Sequence, residues 1–262
     1  MNNRKVIFID YDGTLYSEKH KRPSYRIKEL LKLALESEID IYLSTGRTLL
    51  TLAHEEEILA NVKGVLGANG SFIYENKKMV YINYINKKEI SYIYNYSKNN
   101  AVDIAFFSKT CAYTCFSDKS LTERFKTFNK VNIVDIYDTF IINEEIELIC
   151  LYSQEELIDK LIPHFPNLTV YKWGSRGADV VNKGSTKGKA IQEVIKMNNY
   201  HYSNTYGIGD GLNDIEMFQS VNHSVAMGNA SSYVKQHAKY VTNNIEEDGL
   251  ENILEDIIYG KM

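Results

Sequence analysis

The stretch Val6-Ile7-Phe8-Ile9-Asp10-Tyr11-Asp12-Gly13-Thr14 decides how this chain is read. Four consecutive apolar residues suit a short strand buried on both faces. Two carboxylates, two residues apart, follow at its end. Burial penalises their charge, and each repels the other. Such a pair calls for a positive partner, of which a divalent cation is the simplest. Gly13 lets the chain turn where a Cβ would clash, and Thr14 offers a hydroxyl to the turn or to a carboxylate. Taken alone, the same residues also describe a strand end running into an ordinary Asp-Gly turn.

Three further segments carry the reading beyond that local alternative. Leu43-Ser44-Thr45-Gly46-Arg47 follows the strand-like Ile39-Asp40-Ile41-Tyr42. Lys187 stands in Lys183-Gly184-Ser185-Thr186-Lys187-Gly188, at the start of a helical stretch. Gly209-Asp210-Gly211-Leu212-Asn213-Asp214 follows the apolar run Tyr206-Gly207-Ile208. The order is acidic pair, hydroxyl, lysine, second acidic cluster, with a long insertion before the lysine. In these residues the chain resembles the haloacid dehalogenase superfamily of phosphotransferases. Its Ser-Thr-Gly-Arg and Gly-Asp-Gly-Leu-Asn-Asp variants are similar to those of the Cof-type phosphatases, subfamily IIB. The resemblance spans essentially the whole chain. Tyr11 departs from it, since many relatives carry Leu or another aliphatic there; the backbone of Tyr11 is expected to matter more than its ring.

With 262 residues the chain can bury two separate cores. Its 44% hydrophobic and 24% charged residues are ordinary for a soluble globular protein. A net charge of -4, with Lys and Arg scattered among acids, gives a nucleic-acid partner no support. Glu55-Glu56-Glu57 reads as a solvated helix face. No apolar stretch approaches a membrane span, and the run after Met1-Asn2-Asn3-Arg4-Lys5 is too short for a signal-peptide core. Cys111, Cys115 and Cys150 are an odd number, which argues against a disulfide framework and for packed thiols in a reducing, cytoplasmic setting. No obligate protein partner and no membrane association are implied.

The chain alternates strand and helix at both ends. Val6 to Ile9 reads as a strand, Ser24 to Glu36 as a helix with Ile27, Leu30, Leu31 and Leu35 on one face, and Ile39 to Leu43 as the next strand. Thr48 to Leu59 reads as a helix and Val65 to Gly67 as a strand. After the Asn69-Gly70 turn, Phe72 to Tyr74 and Met79 to Tyr81 can pair as a hairpin. From about Asn83 the pattern changes. Helices are expected at Glu89 to Lys98, Leu121 to Phe128 and Glu155 to His164, the last ended by Pro163 and Pro166. Strands are expected at Val102 to Phe107, Ala112 to Phe116, Glu147 to Tyr152, Leu168 to Trp173 and Ala178 to Val181. Alternation resumes with a helix at Lys187 to Met197 carrying Ile191, Val194 and Ile195. Strands follow at Tyr206 to Ile208, Val225 to Met227 and Tyr240-Val241, then a helix at Leu250 to Ile258. The expected class is α/β: a Rossmann-like parallel-sheet core, residues 1–82 and 184–262, with an inserted α+β cap domain, residues 83–183. Ligands of such sheets bind beyond the carboxyl ends of the strands, where all four motifs fall.

The resemblance implies the roles. Asp10 is the nucleophile that forms an aspartyl-phosphate, and Asp12 the acid that protonates the leaving alcohol and later the base on water. Side-chain alternation along a strand would point Asp10 and Asp12 the same way. The dehalogenase branch lacks a carboxylate at the second position, so Asp12 favours phosphate chemistry. Asp10, the backbone carbonyl of Asp12 and Asp210 are the implied ligands of Mg²⁺, with Asp214 acting through water. The N–H groups of Tyr11 and Gly46, the Thr45 hydroxyl and the Asn213 amide would bind phosphate, and Lys187 would supply a fixed positive charge to the phosphoryl oxygens and the nucleophile. Asp214 also suits a helix N-terminus, Asn213 a helix cap, and Lys183 competes with Lys187 for the motif register. Arg47, Lys172 and Arg176, with Trp173 between the latter two, are candidates for substrate choice; pairing with an acid explains Arg47 as well, and a hairpin turn with solvated cations explains Lys172 and Arg176. The expected activity is Mg²⁺-dependent hydrolysis of a small phosphorylated metabolite, either a sugar phosphate or a phosphorylated cofactor or precursor. A phosphosugar mutase and a non-catalytic regulator that binds phosphometabolites are the alternatives.

Overall fold

The computed structural model describes residues 3–17, 19–20, 23–175 and 177–262. In chain order the elements are β1 (Val6–Ile9), α1 (Tyr25–Glu36), β2 (Asp40–Ser44), α2 (Leu49–Leu52), α3 (Glu56–Leu59), β3 (Gly64–Gly67), β4 (Phe72–Glu75) and β5 (Lys78–Ile82). Next come α4 (Lys87–Asn100), β6 (Asp103–Phe107), β7 (Ala112–Cys115), α5 (Lys119–Asn129), β8 (Ile133–Asp135), β9 (Leu148–Tyr152), α6 (Glu155–Leu161), β10 (Leu168–Lys172) and β11 (Gly177–Asn182). The chain ends with α7 (Lys187–Met197), β12 (Thr205–Gly209), α8 (Ile215–Ser220), β13 (His223–Ala226), α9 (Ser232–Lys235), β14 (Tyr240–Val241) and α10 (Gly249–Ile258). Two compact units result. Met1–Thr45, Glu55–Val80 and Thr186–Met262 form the first, and Gly46–His54 with Tyr81–Ser185 the second.

The first unit is built on a sheet in the order β14-β13-β12-β1-β2-β3-β4-β5. Strands β14 to β3 are parallel, and β4 runs antiparallel to β3. Every residue of β1, β2 and β12 is buried, as a parallel sheet covered on both faces requires. On one face Val6, Phe8, Tyr42, Leu66 and Ile73 pack with Ala190, Ile191 and Val194 of α7 and with Met217 and Phe218 of α8. Helices α1 and α10 pack together, burying Ile27, Leu30 and Leu31 with Leu250, Leu254 and Ile257. Asn76 and Lys77, with φ of 50° and 63°, make the two-residue turn between β4 and β5.

Three expectations need correction. Ser24 caps α1 by accepting from the Ile27 N–H, but Ala34 completes the buried face and Leu35 is 53% exposed. Residue 34 lies two turns after Ile27, whereas 35 is rotated about 100° past it. The helix expected over Thr48 to Leu59 is two short ones, α2 and α3, because Glu55 leaves helical geometry (φ -100°, ψ 42°). The α-helix after Glu155 stops at Leu161 and tightens into a 3₁₀ turn over Ile162–His164, since Pro163 has no N–H to continue it.

The second unit carries a sheet in the order β10-β11-β9-β6-β7-β8, antiparallel except for β7–β8. Ile104, Phe106, Ile149, Leu151 and Val180 of this sheet share a core with Ile90, Ile93 and Leu161 from its helices. Cys111, Cys115 and Cys150 are buried free thiols. The class is therefore α/β, a Rossmann-like parallel-sheet core with an inserted α+β domain. Among the described residues, no helix is long and apolar enough to cross a membrane.

Candidate active site

Register brings the motifs together. Ile9 lies opposite Leu43 of β2 and Ile208 of β12, so Asp10, Thr45 and Asp210 leave adjacent strands at one end of the sheet. The ladder continues one residue further, with the Asp10 N–H donating to the Ile208 carbonyl at 2.9 Å. Strand β1 itself stops at Ile9, so strand alternation does not orient Asp12. A turn does: the Tyr11 carbonyl accepts from the N–H groups of Leu15 (3.0 Å) and Tyr16 (2.7 Å), and Gly13 N–H donates to the Tyr16 carbonyl at 3.0 Å. As a result Asp10 is buried and Asp12 exposed. The Tyr11 ring is wholly buried and stacks on Tyr16.

Lys187 opens α7, behind the Thr186 cap. Its ammonium lies 2.5 Å from Asp10 Oδ1 and 2.6 Å from Asp214 Oδ1. Gly70 explains this placement. At φ 89° it lacks the Cβ that would sit 2.2 Å from the Thr186 carbonyl oxygen, so the turn after β3 presses directly on the start of α7. Burial opposes the charge on Lys187, but Asp10 and Asp214 outweigh it and hold the ammonium above its ordinary range. Burial and then Asp214 push Asp10 well above the usual carboxylate range, against the pull of Lys187. Lys183 is exposed and donates to the Pro166 carbonyl, so Lys187 is the lysine that reaches the acids.

Asp210 is held on both oxygens. Thr14 Oγ1 donates to Oδ1 at 2.9 Å, and Asn229 Nδ2 to Oδ2 at 3.1 Å. Gly13, at φ 85°, allows the close approach, since a Cβ there would lie 2.4 Å from Asp210 Oδ2. Burial and then Asp214 push the Asp210 carboxyl up to about 6. Asp214 takes the backbone N–H groups of Asp210 (2.9 Å) and Gly211 (2.8 Å) on its second oxygen.

Among the described residues, one oxygen each from Asp10, Asp210 and Asp214 lie within 4.8 Å of one another. The Asp12 carboxylate is not in that set, which leaves its backbone carbonyl as the candidate ligand. Three hard oxygen donors face a single ammonium, and two have pKa values raised by burial and mutual repulsion. This donor set fits a hard divalent cation.

The remaining candidates divide. Thr45 is wholly buried; its N–H donates to the Leu66 carbonyl and its carbonyl accepts from Asn69 N–H. Asn213 Nδ2 donates to Asn69 Oδ1 at 2.8 Å. Asn69 is buried in left-handed geometry, φ 52°, which Asn tolerates. Gly46 and Arg47 group with the second unit. Lys172 meets Glu155 at 2.7 Å and Asp159 at 2.9 Å, so its charge is matched within its own unit. Trp173 donates its indole N–H to Asp179, and Arg176 lies outside the described residues. Two residues at the site escaped sequence reading, Asn69 and Asn229. In the sequence Asn69 reads only as a turn marker. Asn229 offered one usable signal: it follows β13 at the end of the sheet where ligands bind.

A doubly covered parallel sheet with aspartates and a lysine gathered at its carboxyl end is the site of a hydrolase, and the family and relatives make its class the hydrolases of phosphoric monoesters. The chain belongs to the haloacid dehalogenase-like hydrolases, whose family pattern it matches over residues 7–254. YkrA of Bacillus subtilis (strain 168) is 26% identical over 253 residues, 97% of each chain. The 5-amino-6-(5-phospho-D-ribitylamino)uracil phosphatase YcsE of the same organism is 27% identical over 250 residues, 94% of this chain and 92% of its own. A solved sugar phosphatase of haloacid dehalogenase subclass IIB superposes with a TM-score of 0.84 at 27% identity, covering 98% of this chain and 100% of its own.

Proposed function

We propose that this protein is a Mg²⁺-dependent phosphatase acting on a small phosphorylated metabolite, a sugar phosphate or a phosphorylated cofactor or precursor. One observation carries the reading: a buried Asp10 paired with Lys187 at 2.5 Å, beside the carboxylates of Asp210 and Asp214. Relatives that act on a sugar phosphate and on a phosphorylated ribitylaminouracil support the substrate class.

Asp10 attacks phosphorus while the bond from phosphorus to the substrate oxygen breaks. Asp12, exposed at the turn, gives its proton to that leaving oxygen. Water then attacks the aspartyl-phosphate, Asp12 takes its proton, and the bond to Asp10 breaks to free phosphate. Lys187 neutralises Asp10 and the phosphoryl oxygens. The Thr45 hydroxyl, the N–H groups of Tyr11 and Gly46, and the second amide hydrogen of Asn213 donate to those oxygens. Asp10, the Asp12 carbonyl, Asp210 and Asp214 are the set that would hold Mg²⁺, which when bound supplies positive charge to the phosphoryl group. We assign substrate choice to the inserted domain, residues 83–183, with Arg176 as a candidate in it and Arg47 as a candidate outside it.

The test is phosphate release from a panel of phosphorylated metabolites, with and without Mg²⁺. Selective, Mg²⁺-dependent release is expected. Transfer of phosphate within a sugar instead of to water would assign a mutase, and binding without turnover a regulator.

A further inference from the structure

Asn229 joins three parts of the chain that are remote in sequence. Its Nδ2 donates to the Gly13 carbonyl at 2.9 Å and to Asp210 Oδ2 at 3.1 Å. Its Oδ1 accepts from the Ile245 N–H at 3.1 Å. These contacts use both amide hydrogens and fix which way the amide faces. Turned over, the amide would set an oxygen against a carbonyl and a carboxylate, and an NH₂ against an N–H. The Asn229 backbone is placed as firmly. The Met227 N–H donates to the Gly209 carbonyl and the Gly228 N–H to the Asn243 carbonyl, both at 2.9 Å.

We propose that Asn229 is a positioning residue for the cation site, setting the plane of the Asp210 carboxylate. The inference rests on the proposed reading of Asp210 as a cation ligand. Thr14 restrains one Asp210 oxygen and Asn229 the other, so the carboxylate cannot rotate about its terminal bond. Each oxygen accepts one such hydrogen bond and keeps a lone pair for a cation. Without Asn229 the carboxylate has one restraint and two oxygens, and its orientation entropy must be lost when the cation binds. Ile245 acts one step further out, because its N–H stops the Asn229 amide from turning.

The test uses Mn²⁺ as a probe on metal-stripped protein, with free Mn²⁺ read by electron paramagnetic resonance. Losing a hydrogen-bond partner of a metal ligand typically costs ~10–100-fold in affinity. Asn229→Ala is expected to weaken Mn²⁺ binding at least tenfold with an unchanged circular dichroism melt, since the side chain is exposed. The Mg²⁺ concentration for half-maximal activity should rise in the same ratio. The KM for substrate should stay close to wild type, and kcat should recover at high Mg²⁺. Ile245→Pro removes the anchoring N–H together with the isoleucine side chain. Ile245 opens a 3₁₀ turn after an extended Asn244 (φ -62°, ψ 155°), where proline is tolerated. It should weaken Mn²⁺ binding in the same direction, and the double variant should bind no more weakly than Asn229→Ala alone. Mn²⁺ affinity of Asn229→Ala within twofold of wild type would overturn the proposal, as would additive losses in the double variant. A wild-type protein that binds no Mn²⁺ would overturn the reading of Asp210 itself, and this inference with it.

Discussion

Lys187 Nζ and Asp214 Oδ1 are 2.6 Å apart, and neither side chain has any exposure to solvent. Asp214 thereby ties the start of α7 to the loop after β12, whose N–H groups it also accepts. Buried ions are stable only when their partners are complete. The same pair that aims the ammonium at Asp10 therefore also holds the two motifs together.

Replacing Lys187 with Met should abolish activity and also destabilise the fold. It leaves Asp10 and Asp214 buried without their cation, a loss of about 3–5 kcal/mol for such pairs. Urea denaturation measures it. Saturating Mg²⁺ should stabilise this variant more than the wild type, because it returns positive charge to the acids.

Asp10→Asn should end phosphate release and keep the fold. The amide is a poor nucleophile and a weaker ligand for a hard cation. Burial and Asp214 disfavour charge at this position, and Lys187 keeps Asp214 as its partner, so the variant should still fold cooperatively. Near-normal turnover in a contaminant-free preparation would contradict the nucleophile assignment.

Exhaustive chelation should abolish activity, Mg²⁺ should restore it, and Ca²⁺ should not. Calcium accepts more ligands in looser geometry and would misplace phosphate against Asp10. Phosphate-release assays after metal exchange decide this; full activity in a chelator would sink the cation requirement.

Glu147 predicts a pH dependence of the inserted unit. Burial pushes its carboxyl from 4.5 up to about 7, with Lys109 pulling the other way. A raised carboxyl favours the folded state fully below pH 4.5, and this contribution is lost as pH rises through about 7. The swing is on the order of 3 kcal/mol. Asp118 and Glu144 of the same unit, both lowered, act in the opposite sense but only at more acidic pH. Trp173, the sole tryptophan, lies in this unit and reports its unfolding. Its denaturation midpoint should fall between pH 5 and pH 8, and Glu147→Gln should flatten that slope. An unchanged slope in the variant would exclude Glu147 as its source.

Local chemistry made much of this protein legible from its sequence. The runs at Val6–Ile9 and Thr205–Gly209 are buried on both faces, so their apolarity is continuous and readable. Ser24 and Thr186 cap the helices that they precede through contacts three residues away. The long insertion before Lys187 announced a second core, because its strands and helices bury their own apolar faces. Such features depend on neighbours in sequence or on the alternation of whole elements.

Tertiary structure decided the rest. Tyr11 to Tyr16 form a turn, not a strand, and that turn buries Asp10 and exposes Asp12. Gly70 matters through its approach to Thr186, and Asn69 through its bond to Asn213, 144 residues away. Asn229 reaches Gly13 across 216 residues and has no periodic pattern or motif to mark it. Sequence alone determined most of the longer strands and helices, the family and the acids and lysine gathered at one end of the sheet, because short-range periodicity and motif chemistry encode them; short elements such as β8, α8 and α9 carry too little periodicity to read. Only the folded chain decided which carboxylate is buried, which amide restrains Asp210 and which lysine lies between the acids, because these depend on distances that chain closure sets.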